Sequence, residues 1–188
     1  MSIAITILLN TWVTPKSNLI QFRDKLLNII KDGSHEKTCH WAMISCAYPF
    51  WFNMSFIFGS LFRLQDKVKK SQVMSRTYEA FGERNTIERC SRYVIRSFVA
   101  WDIIRDIQKA GHYEKGENIL INDNNVMSLL IEAALHAMAK SVIPLNNIVS
   151  NPSFFIFSMP RVNGHQICNN NIIIENMSID NEYLRLKI

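Results

Sequence analysis

The sequence predicts a mainly α-helical fold with small β elements. Apolar residues recur at helical spacing through most of the first 140 positions. From residue 143 onward Pro144, Pro152 and Pro160 break the chain into short apolar runs and asparagine becomes frequent, a pattern suited to short strands. Within the helical part lies a basic stretch that carries the whole formal charge of +5. The expected division is an aromatic-rich helical part over 1–64, a basic domain over 65–142 and a β-containing part over 143–188, or one compact domain containing all three.

Taken in order, IAITILL near the start reads as a buried strand or helix start. No basic residue precedes it and no small-residue cleavage pattern follows, so a signal sequence is not expected. Asn18–Asp32 predicts an amphipathic helix with Leu19, Phe22, Leu26, Ile29 and Ile30 inward and Gly33 as its stop. From Trp41 to Phe62 there is no formal charge, which is long enough to raise the question of a membrane span. Pro49 lies near the middle, where it removes a helical hydrogen bond, and Ser45, Asn53, Ser55 and Ser60 add polar groups that lipid leaves unsatisfied. Two helices, about Glu36–Ala47 capped by Ser34 and Phe50–Leu64, are therefore expected, with no membrane partner. The second has an inward stripe of Phe50, Met54, Ile57, Phe58, Leu61 and Leu64. Trp51, Phe52, Phe56 and Phe62 lie off that stripe, and Trp51, Phe52 and Phe56 are candidates for contact with a protein partner.

The basic stretch runs from Arg63 to Lys109, with eleven Lys or Arg against six acids. A concentration of this kind points to a polyanion, nucleic acid ahead of anionic lipid. SQVMSRTYEAFG predicts a short helix over Ser71–Phe81 with Gly82 at its end. ERNT then leads into a longer helix capped by Asn85 or Thr86, running through TIERCSRYVIRSFVAWDIIRD. Ile87, Cys90, Val94, Phe98 and Trp101 share one side of it, and Arg89, Arg92 and Arg96 the other. GHYEKGENILI suggests a hairpin turning at Lys115-Gly116, and Asn124–Lys140 suggests a helix with Val126, Leu129, Leu130, Ala133, Ala134 and Ala137 buried.

Two helices joined by a tight turn, then a hairpin, resemble the winged helix-turn-helix family over about Gln65–Ser141. The resemblance implies double-stranded DNA as the partner and a non-enzymatic protein. The helix from Thr86 becomes the recognition helix, its last turns serving packing because it is long for that role. Arg89, Arg92 and Arg96 would then contact phosphates and guanine edges, Lys69, Lys70, Arg76 and Arg84 would position the backbone, and Lys115 would stand at the wing tip. The words HW, AYPF, RLQ, FGERNT and RYVIRS, in this order, are also similar to bacterial proteins of phage-defence gene neighbourhoods, which implies a DNA-contacting accessory component of a larger apparatus. The alternative is a protein-interaction subunit that uses the fold as a scaffold.

Other chemistry has weaker support. His35, Cys39 and His40, and His165 with Cys168, match no standard zinc spacing. Asp102 and Asp106 are expected on one helix face, paired with Arg105 and Lys109 and not with each other as acid and base. No glycine-rich phosphate loop is present and no nucleophile has an identifiable base, so neither an enzyme nor a cofactor is expected. Four cysteines without a paired framework suit a reducing cytoplasm. FFIFSM, NIIIEN and EYLRLKI are expected strands, the last two joined at Asp180-Asn181.

Overall fold

The structure, a computed structural model, describes residues 3–107, 111–139, 142–160, 162–167, 169–178 and 181–187. Lys109, Cys168 and Asp180 lie outside them. The fold is mainly helical with small sheets. Two compact units emerge: unit 1 comprises Met1–Phe52, Ile121–Val149 and Pro160–Ile188, and unit 2 comprises Asn53–Leu120 and Ser150–Met159. These units interleave along the chain instead of following three consecutive parts.

In unit 1, α1 (Ile3–Leu8) continues into a π-helical turn at Leu9–Val13. The start is thus helical, but Ile5 and Leu8 are about half exposed and not buried as expected. After α2 (Ile20–Lys31) comes α3 (Glu36–Ala47), whose end at Tyr48 follows from the restriction that Pro49 imposes on the residue before it. Ser34 does not cap α3; His35 does so with a left-handed backbone, φ 57°. The helix α7 (Asn124–Met138) is fixed at its start by Asp123, whose Oδ1 accepts from the Asn125 N–H at 2.7 Å. Every residue of α7 from Val126 to Leu135 is buried, so the helix is enclosed by its neighbours, among them α3 and, through Phe22 and Lys25, α2. Strands β5 (Ile143–Pro144), β7 (Ile172–Ser178) and β8 (Asn181–Leu186) form an antiparallel sheet in the order β5-β8-β7, and α8 (Leu145–Val149) follows β5 directly.

One charge lies inside unit 1. Glu132 on α7 is fully buried, and Lys25 Nζ on α2 approaches its Oε2 at 3.2 Å. Asn171 Nδ2 donates to Oε1 at 2.8 Å, Asn169 Nδ2 donates to Oε2, and His136 Nε2 lies 3.8 Å from Oε1. Lys25 also donates to Asn169 Oδ1 at 2.8 Å, closing the network. A buried carboxylate is tolerable only when its oxygens are satisfied in this way.

The helix α4 (Pro49–Phe62) has Pro49–Phe52 counted with unit 1 and the remainder with unit 2. Trp51 and Phe52 correct the sequence expectation: each is 3% exposed, and both pack edge-on against the Trp41 ring. They belong to the core and are closed to a partner. Phe56 does remain exposed, while Leu64, assigned to the inward stripe, lies beyond the helix end in water.

Unit 2 then runs β1 (Lys67–Lys69), α5 (Lys70–Phe81), α6 (Asn85–Ala100), β2 (Ile104–Asp106), β3 (His112–Lys115) and β4 (Ile119–Leu120), and is joined by β6 (Phe157–Ser158). The first three strands form an antiparallel sheet in the order β1-β3-β2, with Val68 opposite Tyr113 and Tyr113 opposite Asp106. Phe58 sits at the centre of this unit, its ring 5.6 Å from that of Phe98 and 5.9 Å from that of Tyr113. The expected hairpin over Gly111–Ile121 does not form. Instead β3 turns back on β2, and β4 pairs in parallel with β6.

The helix from Asn85 also ends earlier than expected. Trp101 is its C-cap and Asp102 takes a left-handed backbone, φ 53°, so Asp102 and Asp106 share no helix face. Asp102 instead accepts a two-point contact from Arg105 at 2.7 and 2.9 Å.

Gly59 shows why the segment around Pro152 belongs to unit 2. A Cβ at Gly59 would fall 1.8 Å from the Pro152 carbonyl oxygen, so only glycine admits this approach. Alanine in a helix interior ordinarily stabilises by about 1 kcal/mol relative to glycine. Here Gly59→Ala is expected to destabilise by about 1–3 kcal/mol through overpacking. Urea unfolding reads the sign directly, and a stabilised variant would remove the close approach from consideration.

Candidate nucleic-acid interface

Three of the ten exposed cations among the described residues of unit 2 lie on α6. Its buried side is Ser91, Val94, Ile95 and Phe98, close to the expected stripe, although Ile87, Cys90 and Trp101 are only half-buried. Arg89, Arg92 and Arg96 are exposed on the remaining surface, as the helical spacing predicts. Arg92 has a weak pair with Glu88 one turn earlier, at 3.6 Å and with both side chains about half exposed. Among the described residues no ion pair engages Arg89 or Arg96. These three arginines, with Asn85, Thr86, Glu88 and Tyr93, line a polar recess of ≈ 390 Å³.

The turn before α6 is short. Gly82 ends α5 with φ 80°, a value that favours glycine, but its ψ of 155° extends the chain instead of curling it into a left-handed helical turn. Arg84 is the N-cap of α6 in extended conformation, so neither Asn85 nor Thr86 fills that role. Its Nη2 donates to the Phe81 carbonyl at 2.9 Å, which holds the α5–α6 connection and commits part of this guanidinium to the fold. Arg76 on α5 is exposed and paired with Glu79 at 3.2 Å.

Lys69 and Lys70 are exposed at the junction of β1 and α5. Gln72 Oε1 accepts from the Lys69 N–H at 2.9 Å, and the Lys70 N–H donates to the Gly111 carbonyl at 2.8 Å, so their backbone is tied to both α5 and the start of β3.

Lys115 requires correction. It is the last residue of β3, half-buried and in register with buried Ile104, and burial pushes its ammonium below the ordinary lysine range. It occupies a sheet position and not a turn tip. The connection between β2 and β3 is 107–111, where Lys109 falls outside the described residues.

Among the described residues no three His, Cys, Asp or Glu side chains gather as a metal site, and no helix is long and apolar enough to cross a membrane. Burial pushes the Cys39 thiol up to about 11, and burial followed by the Glu132 charge pushes Cys46 well up, so neither is a ready thiolate. Comparison with family models, curated proteins and solved structures gave no match.

Proposed function

We propose that unit 2 is a winged helix-turn-helix module that binds double-stranded DNA through the arginine face of α6, without bond-making chemistry. The observation that carries this reading is the division of one helix into a buried side and an exposed side bearing Arg89, Arg92 and Arg96. Such a helix fits a major groove about 12 Å wide while its other side remains in the core. Supporting it is the order helix, strand, helix, helix, strand, strand, with the early strand β1 beside the late β2–β3 pair. In this reading the wing is the β2–β3 strand pair, one strand earlier than the sequence suggests. Lys69, Lys70 and Arg76 would supply backbone contacts, Arg84 a lesser one because of its bond to Phe81. A cytoplasmic setting suits the buried free thiols. The phage-defence resemblance supplies a context on which this binding mode does not depend.

The second reading, a scaffold for a protein partner, keeps only Phe56 of its three aromatic candidates. That ring, 42% exposed, lines an apolar recess of ≈ 520 Å³ with Ile57, Leu61 and Leu64.

A triple variant, Arg89→Ala, Arg92→Ala and Arg96→Ala, separates the two. It should fold, since all three side chains are exposed. Its DNA affinity should fall far more than that of a charge-matched control, Lys16→Ala, Lys31→Ala and Lys37→Ala, drawn from unit 1. Each lost phosphate contact should flatten log K against log salt by about 0.9, and each lost base contact should relax sequence preference by about 1–3 kcal/mol. Equal losses in both variants would leave only a generally basic surface. Absence of wild-type DNA binding at low salt would favour the scaffold.

A further inference from the structure

A second recess of ≈ 400 Å³ opens on the other flank of the arginine face, lined by Lys70, Arg92, Ile95, Arg96, Val99, Ala100, Asp106 and Tyr113. It differs in character from the polar one. Ile95 and Tyr113 are each 5% exposed and form an apolar floor, while Val99, 36% exposed, and Ala100 supply a wall. Cations from two elements converge on it: Arg92 and Arg96 one turn apart on α6, and Lys70 at the start of α5.

We propose that this recess binds a phosphomonoester attached to a flat apolar body, the chemistry of a nucleoside monophosphate. Charge supports the choice. Three cations and the single carboxylate of Asp106 leave a net +2 on the lining, matching the charge of about −2 on a monoester near neutral pH. Size supports it as well, since the volume falls in the usual range for small-ligand sites, about 300–1,000 Å³. A free phosphate would leave the floor of Ile95 and Tyr113 in contact with water, and an uncharged ring would leave the net positive lining without a counter-charge. Arg92 and Arg96 line both recesses, so an occupied site withdraws two of the three arginines from the neighbouring surface. The site itself does not rest on the DNA reading; only the competition that follows does.

Titration of the full chain with adenosine 5′-monophosphate, adenosine and inorganic phosphate, followed by calorimetry or amide chemical shifts, tests the proposal. The monophosphate should bind at least about tenfold more tightly than either fragment. Lys70→Ala should weaken it about tenfold, the value of one charged hydrogen bond. Val99→Trp, which fills the recess from an exposed position, should weaken it comparably. Phosphate binding as tightly as the monophosphate, or a Val99→Trp variant that binds like the wild type, would reduce the recess to a simple ion contact and overturn the proposal. So would the absence of any response at about 10 mM, a free-energy scale of only about −3 kcal/mol. DNA affinity, measured separately without nucleotide, shows whether the DNA reading fails on its own.

Discussion

Glu132→Ala should lower the unfolding free energy by about 3–5 kcal/mol, the usual consequence of removing one partner from a buried ion pair. The carboxylate accepts from Asn169 and Asn171 and faces Lys25, so its removal leaves amide donors and an ammonium without their acceptor. Glu132→Gln keeps the volume and one acceptor oxygen and should cost less. Burial alone would raise the Glu132 carboxyl, but His136, Asn169, Asn171 and Lys25 more than offset it and hold the group below its usual 4.5. The unfolded chain therefore takes up the proton first. The stabilisation is complete above the ordinary carboxylate range and is lost as pH falls through the lower, folded value. Acid titration of stability should be steeper in the wild type than in Glu132→Gln at pH below 4.5. Parallel curves, together with a loss under about 1 kcal/mol for the alanine variant, would show that the network contributes little.

Phe58→Ala should cost a similar amount, about 3–5 kcal/mol, because it empties the centre of unit 2. The side chain is 0% exposed, and its ring meets those of Phe98, Tyr113 and Phe62 on α6, β3 and α4. Phe56, two positions earlier and 42% exposed, provides the internal comparison, and its alanine variant should lie within about 0.5 kcal/mol of the wild type. Chemical denaturation of the two variants would contradict this packing if the losses were equal. Trp51→Ala now belongs with Phe58, since burial against Trp41 makes it a folding variant and not an assembly variant.

The helices were legible because their periodicity is local. Glu36–Ala47 matches its expected limits, and Asn124 and Phe81 are helix boundaries in both readings. The arginine face followed from the same arithmetic, since 100° per residue separates Arg89, Arg92 and Arg96 from Val94 and Phe98 in any straight helix. Strand pairing was not local. HYEK carries no mark that directs it to Lys67–Lys69 and Ile104–Asp106 instead of to the strand after Gly116, so the hairpin was misplaced and Lys115 with it. Trp51 and Phe52 were misread for a related reason: the stripe of one helix cannot reveal that Trp41 covers its flank. The amide donors to Glu132 gave no signal, because they lie in distant segments. A lone acid within LLIEAALHA was the available hint, a charge in a helix otherwise apolar on all sides.

The Glu132 network also sets an order of events in time. Its donors Asn169 and Asn171 follow Glu132 by 37 and 39 residues, with all of Ser150–Met159 emerging in between. At a synthesis rate of about 5–20 residues per second, the carboxylate leaves the ribosome roughly 2–8 s before its amide partners. Until then α7 can close against α2 and α3 only by burying a charge that has Lys25 and His136 beside it but not the amide donors Asn169 and Asn171. The nascent chain is thus held open at α7 for seconds, an interval in which that apolar surface is available to chaperones and to other nascent chains.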